Sequence, residues 1–429
     1  MVLPRYRFYG GMDVYRKAIA SFLRRQTYEG GDIAHLETAV EKRLAMPYAI
    51  AAPQCRVALY LIIKNTINPG QDVVMSPYTI YDIVNMVICA GGRPKFCDVR
   101  EETCNLDPAE LRRAIVGNTG AVIVTHLHGM ASDLEEIASI CTEHRVPLVE
   151  DAAQAYGAEL KGRPIGSYGE SATLSFGRAK NINAFFGGMA VTRNAKVAEK
   201  IRMEIGDFPP MAEADLGKRV LSCAITDVST WGPVFNLMTF PIFRYAAVHD
   251  VEKVNRVVQT ENEPVRRDTF PEKYRRRMTP LQARLVSAQH ENLDSDTVHR
   301  KRLAQIYREG LRDLNSVGLP KVNAESTHIY LAFPIAVDNR MELVKYVMAH
   351  WCDVAIQHYH NTADLECFKD FFADCPVARR LSRSIVLLPT YPGYTGTEAS
   401  ALVTLIRDYF SVRTQACEAA SAAALSSQV

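Results

Sequence analysis

The chain has 429 residues, of which 48% are hydrophobic and 23% are charged, so it is long enough for a large domain and a smaller one. Its 50 basic and 48 acidic residues leave a formal net charge of +2, a balance that argues against nucleic acid as a partner. The ten cysteines include no C-x-x-C pair, which argues against a zinc site or a disulfide framework. This cysteine pattern and the lack of an apolar signal segment at the N-terminus together predict a cytoplasmic protein.

Residues 1–205 are predicted to form an N-terminal segment and a large α/β domain. Apolar runs of strand length alternate there with helical stretches, a pattern typical of a mostly parallel, doubly wound sheet covered on both faces. Two capping sequences, Asp107-Pro-Ala-Glu110 and Ser132-Asp-Leu-Glu135, predict helix starts at their first residues. The predicted strands are 72–76, 94–99, 120–127, 146–152, 172–176 and 188–193.

Residues 206–270 interrupt this alternation and contain an aromatic-rich segment, 229–248. Pro233, Pro241 and Arg244 exclude an ordinary transmembrane helix in that segment. Its apolar side chains predict burial, either against a partner subunit or over the substrate cleft. The alternative is peripheral contact with a membrane surface, which suits aromatic residues flanked by an arginine.

Residues 271–411 are predicted to hold a long helix and a smaller α+β domain. The helix begins with a capping box at Thr279-Pro-Leu-Gln282, and its apolar spacing carries it as far as residue 311. The remaining residues, 412–429, are rich in alanine and serine and predict a disordered tail.

Asp151 ends a predicted buried strand, and Lys180 follows the strand at 172–176 by a few residues. Because ligands of open α/β sheets bind at the carboxyl ends of strands, both side chains are expected in one crevice. Taken alone, Asp151 is equally well a helix cap, and the pair is either a plain buried ion pair or the two groups that pyridoxal phosphate (PLP) requires. A lysine amine forms a Schiff base with PLP, and a carboxylate pairs with its protonated pyridine nitrogen. Phe185 and Phe186 favour the PLP site, because apolar cover lowers the pKa of a lysine.

Four motifs surround these residues in chain order: NLDPAELRRAI, VEDAAQAYGAELKGRPIGSYG, SFGRAKN followed by GGMAVTRN, and RRRMTPLQA. Together they resemble those of the DegT/StrS-type sugar aminotransferases of PLP fold type I. The resemblance implies that Lys180 forms the Schiff base and that Asp151 faces the pyridine nitrogen. It also implies that Gln154 lies near the cofactor ring and that Ser175 contacts the phosphate.

The resemblance further implies a reaction and an assembly. Glutamate would donate an amino group to PLP, which would pass it to a keto sugar, usually nucleotide-linked, in surface-polysaccharide or glycosylated-metabolite synthesis. Lys180 would move the proton between substrate and cofactor. The family's active sites are shared between two subunits, so a homodimer is expected.

The chain departs from the family pattern where the cofactor phosphate is held. Gln54-Cys55-Arg56 stands in place of a Ser-Gly-Thr turn, and Arg275 stands where the partner subunit presents an asparagine. Guanidinium groups bind phosphate well, so Cys55, Arg56 and Arg275 are candidate cofactor contacts. The alternative is that both arginines face solvent or pair with carboxylates.

Further departures lie near the expected cofactor ring and substrate. The aromatic ring that should stack on the pyridine falls at Ile80, with Tyr81 or Tyr78 as a substitute. His358 matches a family histidine of the substrate cleft, and Tyr359 beside it is a second candidate substrate contact.

Two other functions compete with the aminotransferase. Sugar dehydratases share the scaffold but carry a histidine at the position of Lys180, which is intact here. A PLP-binding regulatory or structural homologue without turnover is the non-enzymatic alternative, suggested by the altered phosphate turn.

Overall fold

The computed structural model describes residues 1–8, 11–251, 263–321 and 324–426, with side chains as far as residue 413, and is built on a seven-stranded sheet. All strands of the described residues are β1 (Tyr48–Ala52), β2 (Asp72–Met75), β3 (Tyr78–Thr79), β4 (Arg93–Phe96), β5 (Thr119–Thr125), β6 (Leu148–Asp151), β7 (Glu159–Leu160), β8 (Arg163–Pro164), β9 (Ser171–Ser175), β10 (Gly188–Thr192), β11 (Ser326–Thr327), β12 (Phe333–Ala336), β13 (Ala355–Ile356), β14 (His360–Asn361) and β15 (Ile385–Leu388).

The large sheet has the order β1-β10-β9-β6-β5-β2-β4. Strands β4, β2, β5, β6 and β9 pair in parallel, and β10 and β1 extend the sheet antiparallel at one edge. Alternate residues of a strand enter opposite cores: Val122 and Val124 of β5 lie in one apolar cluster, and Ala121 and Ile123 in the other. The prediction of a mostly parallel, doubly wound sheet is confirmed.

Helices cover both faces of this sheet and complete the second domain. The described α-helices of more than three residues are α1 (Gly11–Leu23), α2 (Asp32–Leu44), α3 (Cys55–Thr66), α4 (Tyr81–Cys89), α5 (Pro108–Ala114), α6 (Leu134–His144), α7 (Ala195–Gly206), α8 (Glu213–Ser229), α9 (Phe240–Val248), α10 (Pro280–His290), α11 (Leu293–Leu311), α12 (Arg340–Ala349), α13 (Pro376–Ser384) and α14 (Gly396–Ser426).

The smaller domain is built on the antiparallel sheet β12-β15-β13, which packs with α11, α12 and α14 around a separate apolar core. This arrangement is the α+β domain that the sequence predicts. A second ladder joins the two domains: His360 of β14 pairs with Thr79 of β3, and Asn361 pairs with Tyr78. The backbone N–H and the hydroxyl of Thr362 both donate to the carbonyl of Pro77, at 2.8 Å each.

The capping box at Thr279 is present, since Thr279 Oγ1 accepts from the Gln282 N–H at 3.2 Å and Gln282 Oε1 accepts from the Thr279 N–H at 3.1 Å. The prediction of one helix from there to residue 311 is wrong, because α10 ends at His290 and α11 begins at Leu293. Leu281 of α10 belongs to the large-domain core. The smaller domain therefore begins after α10.

The two other predicted helix starts differ in outcome. Asp107 caps α5 as predicted, because its Oδ1 accepts from the Ala109 N–H at 2.9 Å. The prediction that Ser132 caps α6 is wrong: its hydroxyl donates to the carbonyl of Thr125, and the N-cap residue is Asp133. Asp133 makes no cap hydrogen bond either, because its carboxylate is paired with an arginine.

The aromatic-rich segment is helical. Gly232–Val234 forms one α-helical turn, Phe235–Thr239 is π-helical, and α9 follows. Phe235 and Phe240 are buried in the core of the smaller domain, so the inner face packs on the same chain. Burial of the outer face against a partner or over the cleft stays a prediction. The outer side chains of this segment and of the preceding α8 are more than half exposed, namely those of Leu221, Ile225, Val228, Trp231, Leu237, Met238, Ile242 and Tyr245. Within the described residues, no helix combines the length and apolarity needed to cross a membrane.

The end of the chain also differs from the prediction. Helix α14 continues to Ser426, whereas the composition predicts a disordered tail over residues 412–429, of which 427–429 lie outside the described residues. Alanine is the best helix former, so an alanine-rich segment that follows a helix extends it.

Candidate active site

Asp151 and Lys180 lie at the carboxyl edge of the large sheet. Asp151 is the last residue of β6, and its Oδ1 accepts from the Ala153 N–H at 3.0 Å and from the Thr173 hydroxyl at 3.4 Å. Lys180 lies in the loop between β9 and β10, where its N–H donates to the carbonyl of Gly177 at 3.1 Å. The structure thus brings the two predicted residues to one edge of the sheet.

The two groups influence each other electrostatically. Burial lowers the pKa of Lys180, and the neighbouring Arg56 lowers it further, whereas Asp151 acts to raise it. Burial raises the pKa of Asp151, against the Ala153 N–H and the charge of Lys180. Burial therefore favours a neutral amine, which is the form that acts as a nucleophile.

The loop that carries Lys180 has an unusual backbone. Phe185 and Phe186 have φ values of 55° and 84°, a region that side-chain-bearing residues rarely adopt. A side chain at Gly188 would place its Cβ 2.3 Å from the backbone nitrogen of Cys55. Glycine is therefore required there for the N-terminus of α3 to approach β10.

This N-terminus of α3 offers an anion site. Gln54 is its N-cap residue and makes no side-chain cap hydrogen bond, which leaves backbone N–H groups and the positive end of the helix dipole for a ligand. The Cys55 Sγ lies 4.0 Å from Asp151 Oδ1, and burial raises the pKa of the thiol to about 12. Ser175, almost buried, ends β9 on the same edge of the sheet. These groups fit a phosphate next to Lys180.

Arg56 pairs with a buried carboxylate. Its Nη1 contacts Asp82, whose side chain is 2% exposed, and donates to the Tyr274 hydroxyl at 3.3 Å. Arg267 also pairs with Asp82, and the Tyr274 hydroxyl donates to the Asp82 carboxylate at 3.0 Å. Arg56 Nε and Nη2 make no hydrogen bond to any described residue, so the ion pair leaves part of the guanidinium available.

Arg275 also has a carboxylate neighbour, with its Nε 3.3 Å from Glu272 Oε2. Its guanidinium carbon lies about equally far from the rings of Phe208 and Phe270, at 6.0 Å and 5.9 Å, and its side chain is 43% exposed. Both arginines therefore show the carboxylate pairing that the sequence left open, and phosphate binding by either remains a prediction.

Gln154 connects the two domains. Its Oε1 accepts from the His128 N–H at 2.9 Å, and its Nε2 donates to the Tyr359 hydroxyl of the smaller domain. Burial lowers the pKa of the neighbouring His358 to about 4, with a further contribution from Arg340. His358 is therefore a neutral imidazole near pH 7, able to donate or accept a hydrogen bond.

The two tyrosines considered for ring stacking differ in exposure. Tyr78 is fully buried, its ring lies edge-on to Tyr359 with centroids 5.9 Å apart, and its hydroxyl has no hydrogen-bond partner among the described residues. Tyr81 begins α4 and is half-buried. Of the two, Tyr81 is the one with accessible ring surface.

Two residues near the site, His128 and Asp82, are not predicted from the sequence. His128 follows β5 with φ of 59°, is fully buried, and has an Nε2 without a partner among the described residues. The strand-end rule that identified Asp151 applies equally to β5 and was the available signal. No local pattern marks Asp82, because its partners lie 26 and 185 positions away in the chain.

Comparison with known proteins identifies the chain's family. The model of the DegT/DnrJ/EryC1/StrS aminotransferase family matches residues 14–407. The chain belongs to this family. The aminotransferase is 26% identical over 399 residues to the spore coat polysaccharide biosynthesis protein SpsC of Bacillus subtilis (strain 168), covering 89% of this chain and 90% of that protein. It is 24% identical over 393 residues to the GDP-perosamine synthase of Vibrio cholerae, covering 89% and 92%.

Solved structures show the same fold. The aminotransferase superimposes on S. venezuelae DesV, crystallised in complex with a ketimine intermediate, with a TM-score of 0.73 at 22% identity. The match covers 95% of this chain and 98% of that one. The PLP fold type I architecture expected from the motifs is confirmed, and the family's members are PLP-dependent.

Proposed function

We propose that this protein is a PLP-dependent aminotransferase that moves an amino group from glutamate to a nucleotide-linked keto sugar. The observation that carries this function is the placement of Lys180, with a lowered pKa, at the same sheet edge as the buried carboxylate of Asp151. The names of relatives support the substrate class, since GDP-perosamine synthase is named for a GDP-linked sugar.

The residues present fit PLP. Lys180 would hold the cofactor covalently, while Ser175, the N-terminus of α3 and the free part of Arg56 would hold its phosphate. Asp151 would face the pyridine nitrogen. Burial alone disfavours the ionised Asp151 carboxylate, but a protonated nitrogen beside it would favour ionisation. The cofactor nitrogen and the carboxylate would therefore each stabilise the charged form of the other. The chemistry that PLP supplies is an electron sink and a carrier for the amino group.

Lys180 has a second role in this proposal. Once its amine is released by an incoming amino donor, the neutral Nζ would take a proton from the substrate carbon and return it to the cofactor side. Its lowered pKa suits this task, because an ordinary lysine would be protonated near pH 7 and unable to accept a proton. Tyr359 of the smaller domain, held by Gln154 of the large domain, would close the site.

We also propose a homodimer in the cytoplasm. The outer face of α8, the π-helical turn and α9 is apolar and more than half exposed in a single subunit, at residues such as Leu237 and Ile242. Apolar patches of this kind mark interaction surfaces. Sedimentation at micromolar concentration is expected to give a dimer; a fully active monomer contradicts the assembly. Flotation with anionic or neutral liposomes tests the alternative, and co-flotation would assign this face to a membrane surface.

The glutamate half-reaction tests the enzyme function directly. The PLP-loaded chain, mixed with L-glutamate alone, is expected to release one 2-oxoglutarate per site and to lose the absorbance band of the lysine-bound cofactor. A panel of nucleotide-linked keto sugars should then restore that band. If PLP binds but glutamate changes nothing, the chain is a silent homologue. The dehydratase is disfavoured, since Lys180 stands where those proteins carry histidine.

A further inference from the structure

Two arginines lie near one aromatic ring, Phe186, in the loop that carries Lys180. The guanidinium carbon of Arg178 lies 5.3 Å from the ring centroid of Phe186, and that of Arg219 lies 4.6 Å from the same centroid. Arg178 precedes Lys180 by two residues, and Arg219 is on α8, within residues 206–270. The loop and the helix thus bring two positive charges together beside the site.

Neither arginine has a carboxylate partner among the described residues. Arg178 donates to the Ser222 hydroxyl at 3.3 Å, and the Nη1 of Arg219 is buried with no hydrogen-bond partner in that part of the chain. Burial lowers the pKa of Arg219, and the charge of Arg178 lowers it further, whereas Asp215 raises it. A buried donor and two neighbouring like charges are unfavourable unless an anion binds them.

Among the described residues, the carboxylates of α8 form no ion pair with either arginine, although the charge of Asp215 attracts Arg219 from a distance. Glu213 accepts from the Thr27 hydroxyl at 2.7 Å, and Asp227 accepts from the Tyr15 hydroxyl at 2.5 Å. Asp215 lies 3.7 Å from the Lys218 amine on the solvent side of the helix. The arginine pair therefore has unused capacity for an external anion.

We propose that Arg178 and Arg219, with Ser222, bind the diphosphate of a nucleotide-linked sugar. This inference rests on the proposed function and assigns the substrate's charged group to residues of α8 and the lysine loop. A diphosphate carries several charges and acceptor oxygens, which match two guanidinium forks. Since Arg178 and Lys180 share a loop, a diphosphate held there would keep the attached sugar beside the amine.

The phosphate of PLP is the other anion with this chemistry. The N-terminus of α3 and Ser175 already offer a place for it. No contact among the described residues separates that place from the two arginines. Binding experiments therefore have to distinguish the two sources. The variants are Arg178→Gln and Arg219→Gln, and Lys218→Gln is the matched control, because it removes one charge from an exposed position next to Arg219.

The measurement is calorimetric titration of the PLP-loaded chain with UDP, GDP, dTDP, their monophosphates and inorganic pyrophosphate. The diphosphate that binds the unmodified chain best is expected to lose about 10- to 100-fold in affinity in each arginine variant, as expected for a lost charge-assisted hydrogen bond. Its monophosphate should lose less, and Lys218→Gln should stay within about twofold of the unmodified chain.

Three results would overturn the inference: no nucleoside diphosphate binds the unmodified chain, both arginine variants bind it normally, or the variants lose PLP and not the nucleotide. The last result would assign the pair to the cofactor phosphate. The glutamate half-reaction of the unmodified chain is measured in parallel. If that reaction is absent while diphosphate binding depends on the arginines, the proposed function fails and the diphosphate site stands.

Discussion

Replacing Arg56 with alanine separates two roles of its guanidinium. In the structure Arg56 pairs with the buried Asp82, and its remaining donors are available to the cofactor phosphate. Arg267 is the matched control, because it pairs with the other oxygen of the same carboxylate. Arg267→Ala removes an equivalent partner of Asp82. Of the two arginines, however, only Arg56 lies next to Cys55 at the start of α3.

The two losses have different magnitudes. Breaking a buried ion pair by removing its only partner costs about 3–5 kcal/mol. Asp82 keeps one arginine and the Tyr274 hydroxyl in either variant, so the loss should be nearer that of one charge-assisted hydrogen bond, about 1.5–3 kcal/mol of unfolding free energy. If Arg56 also binds the phosphate, PLP affinity falls by a similar energy in Arg56→Ala alone, which is about 10- to 150-fold in Kd.

Urea unfolding of the PLP-free variants and PLP titration of the folded ones give the two quantities. Both variants are expected to lose similar stability, and only Arg56→Ala is expected to lose PLP affinity. Equal PLP affinity in Arg56→Ala, Arg267→Ala and the unmodified chain would refute the phosphate role and leave Arg56 as a partner of Asp82. Equal losses of PLP affinity in both variants would mean that the Asp82 cluster acts only by positioning α3.

Four further predictions concern the lysine, its carboxylate and the subunit contact. Lys180→Ala should fold yet abolish the glutamate half-reaction, and a borohydride-reducible PLP adduct in this variant would refute the assignment. Asp151→Asn should slow that half-reaction by several orders of magnitude, and a rate within about tenfold of the unmodified chain would make Asp151 a cap only. The pH midpoint for capture of PLP by the free amine should lie below the usual 10.5 and move lower still in Asp151→Asn, because the substitution removes the negative charge that raises the pKa of Lys180; an upward shift contradicts the pairing. Arg275→Ala chains mixed with Lys180→Ala chains should regain PLP binding at some sites, and no regain in confirmed heterodimers contradicts a shared site.

The parts of the site that the sequence could predict depend on neighbouring residues. Asp151 and Lys180 follow strands, and chain alternation fixes which edge of a parallel sheet those strand ends share. The capping box at Thr279 is equally local, since its two hydrogen bonds join residues three apart. Such features need no knowledge of the tertiary structure.

The parts that the sequence could not predict depend on distant partners. Ser132 fits a capping pattern, but its hydroxyl finds the carbonyl of Thr125 once β5 is in place. Phe240 is in a segment whose composition predicts burial but not its partner, which is the smaller domain of the same chain. The pairing of Arg219 with Phe186 likewise requires α8 to fold back over the lysine loop. Tertiary packing decides each of these.

The ladder between β3 and β14 restricts how the two domains can move. It joins Thr79 of the large domain to His360 of the smaller one, and Thr362 adds two hydrogen bonds to Pro77 beside it. The domains are also joined at another place, where Ser326 of β11 pairs with Leu160 of β7 and the Ile329 N–H donates to the carbonyl of Gly129 at 2.9 Å. Because both places hold the domains, a rotation about either one alone would break backbone hydrogen bonds at the other.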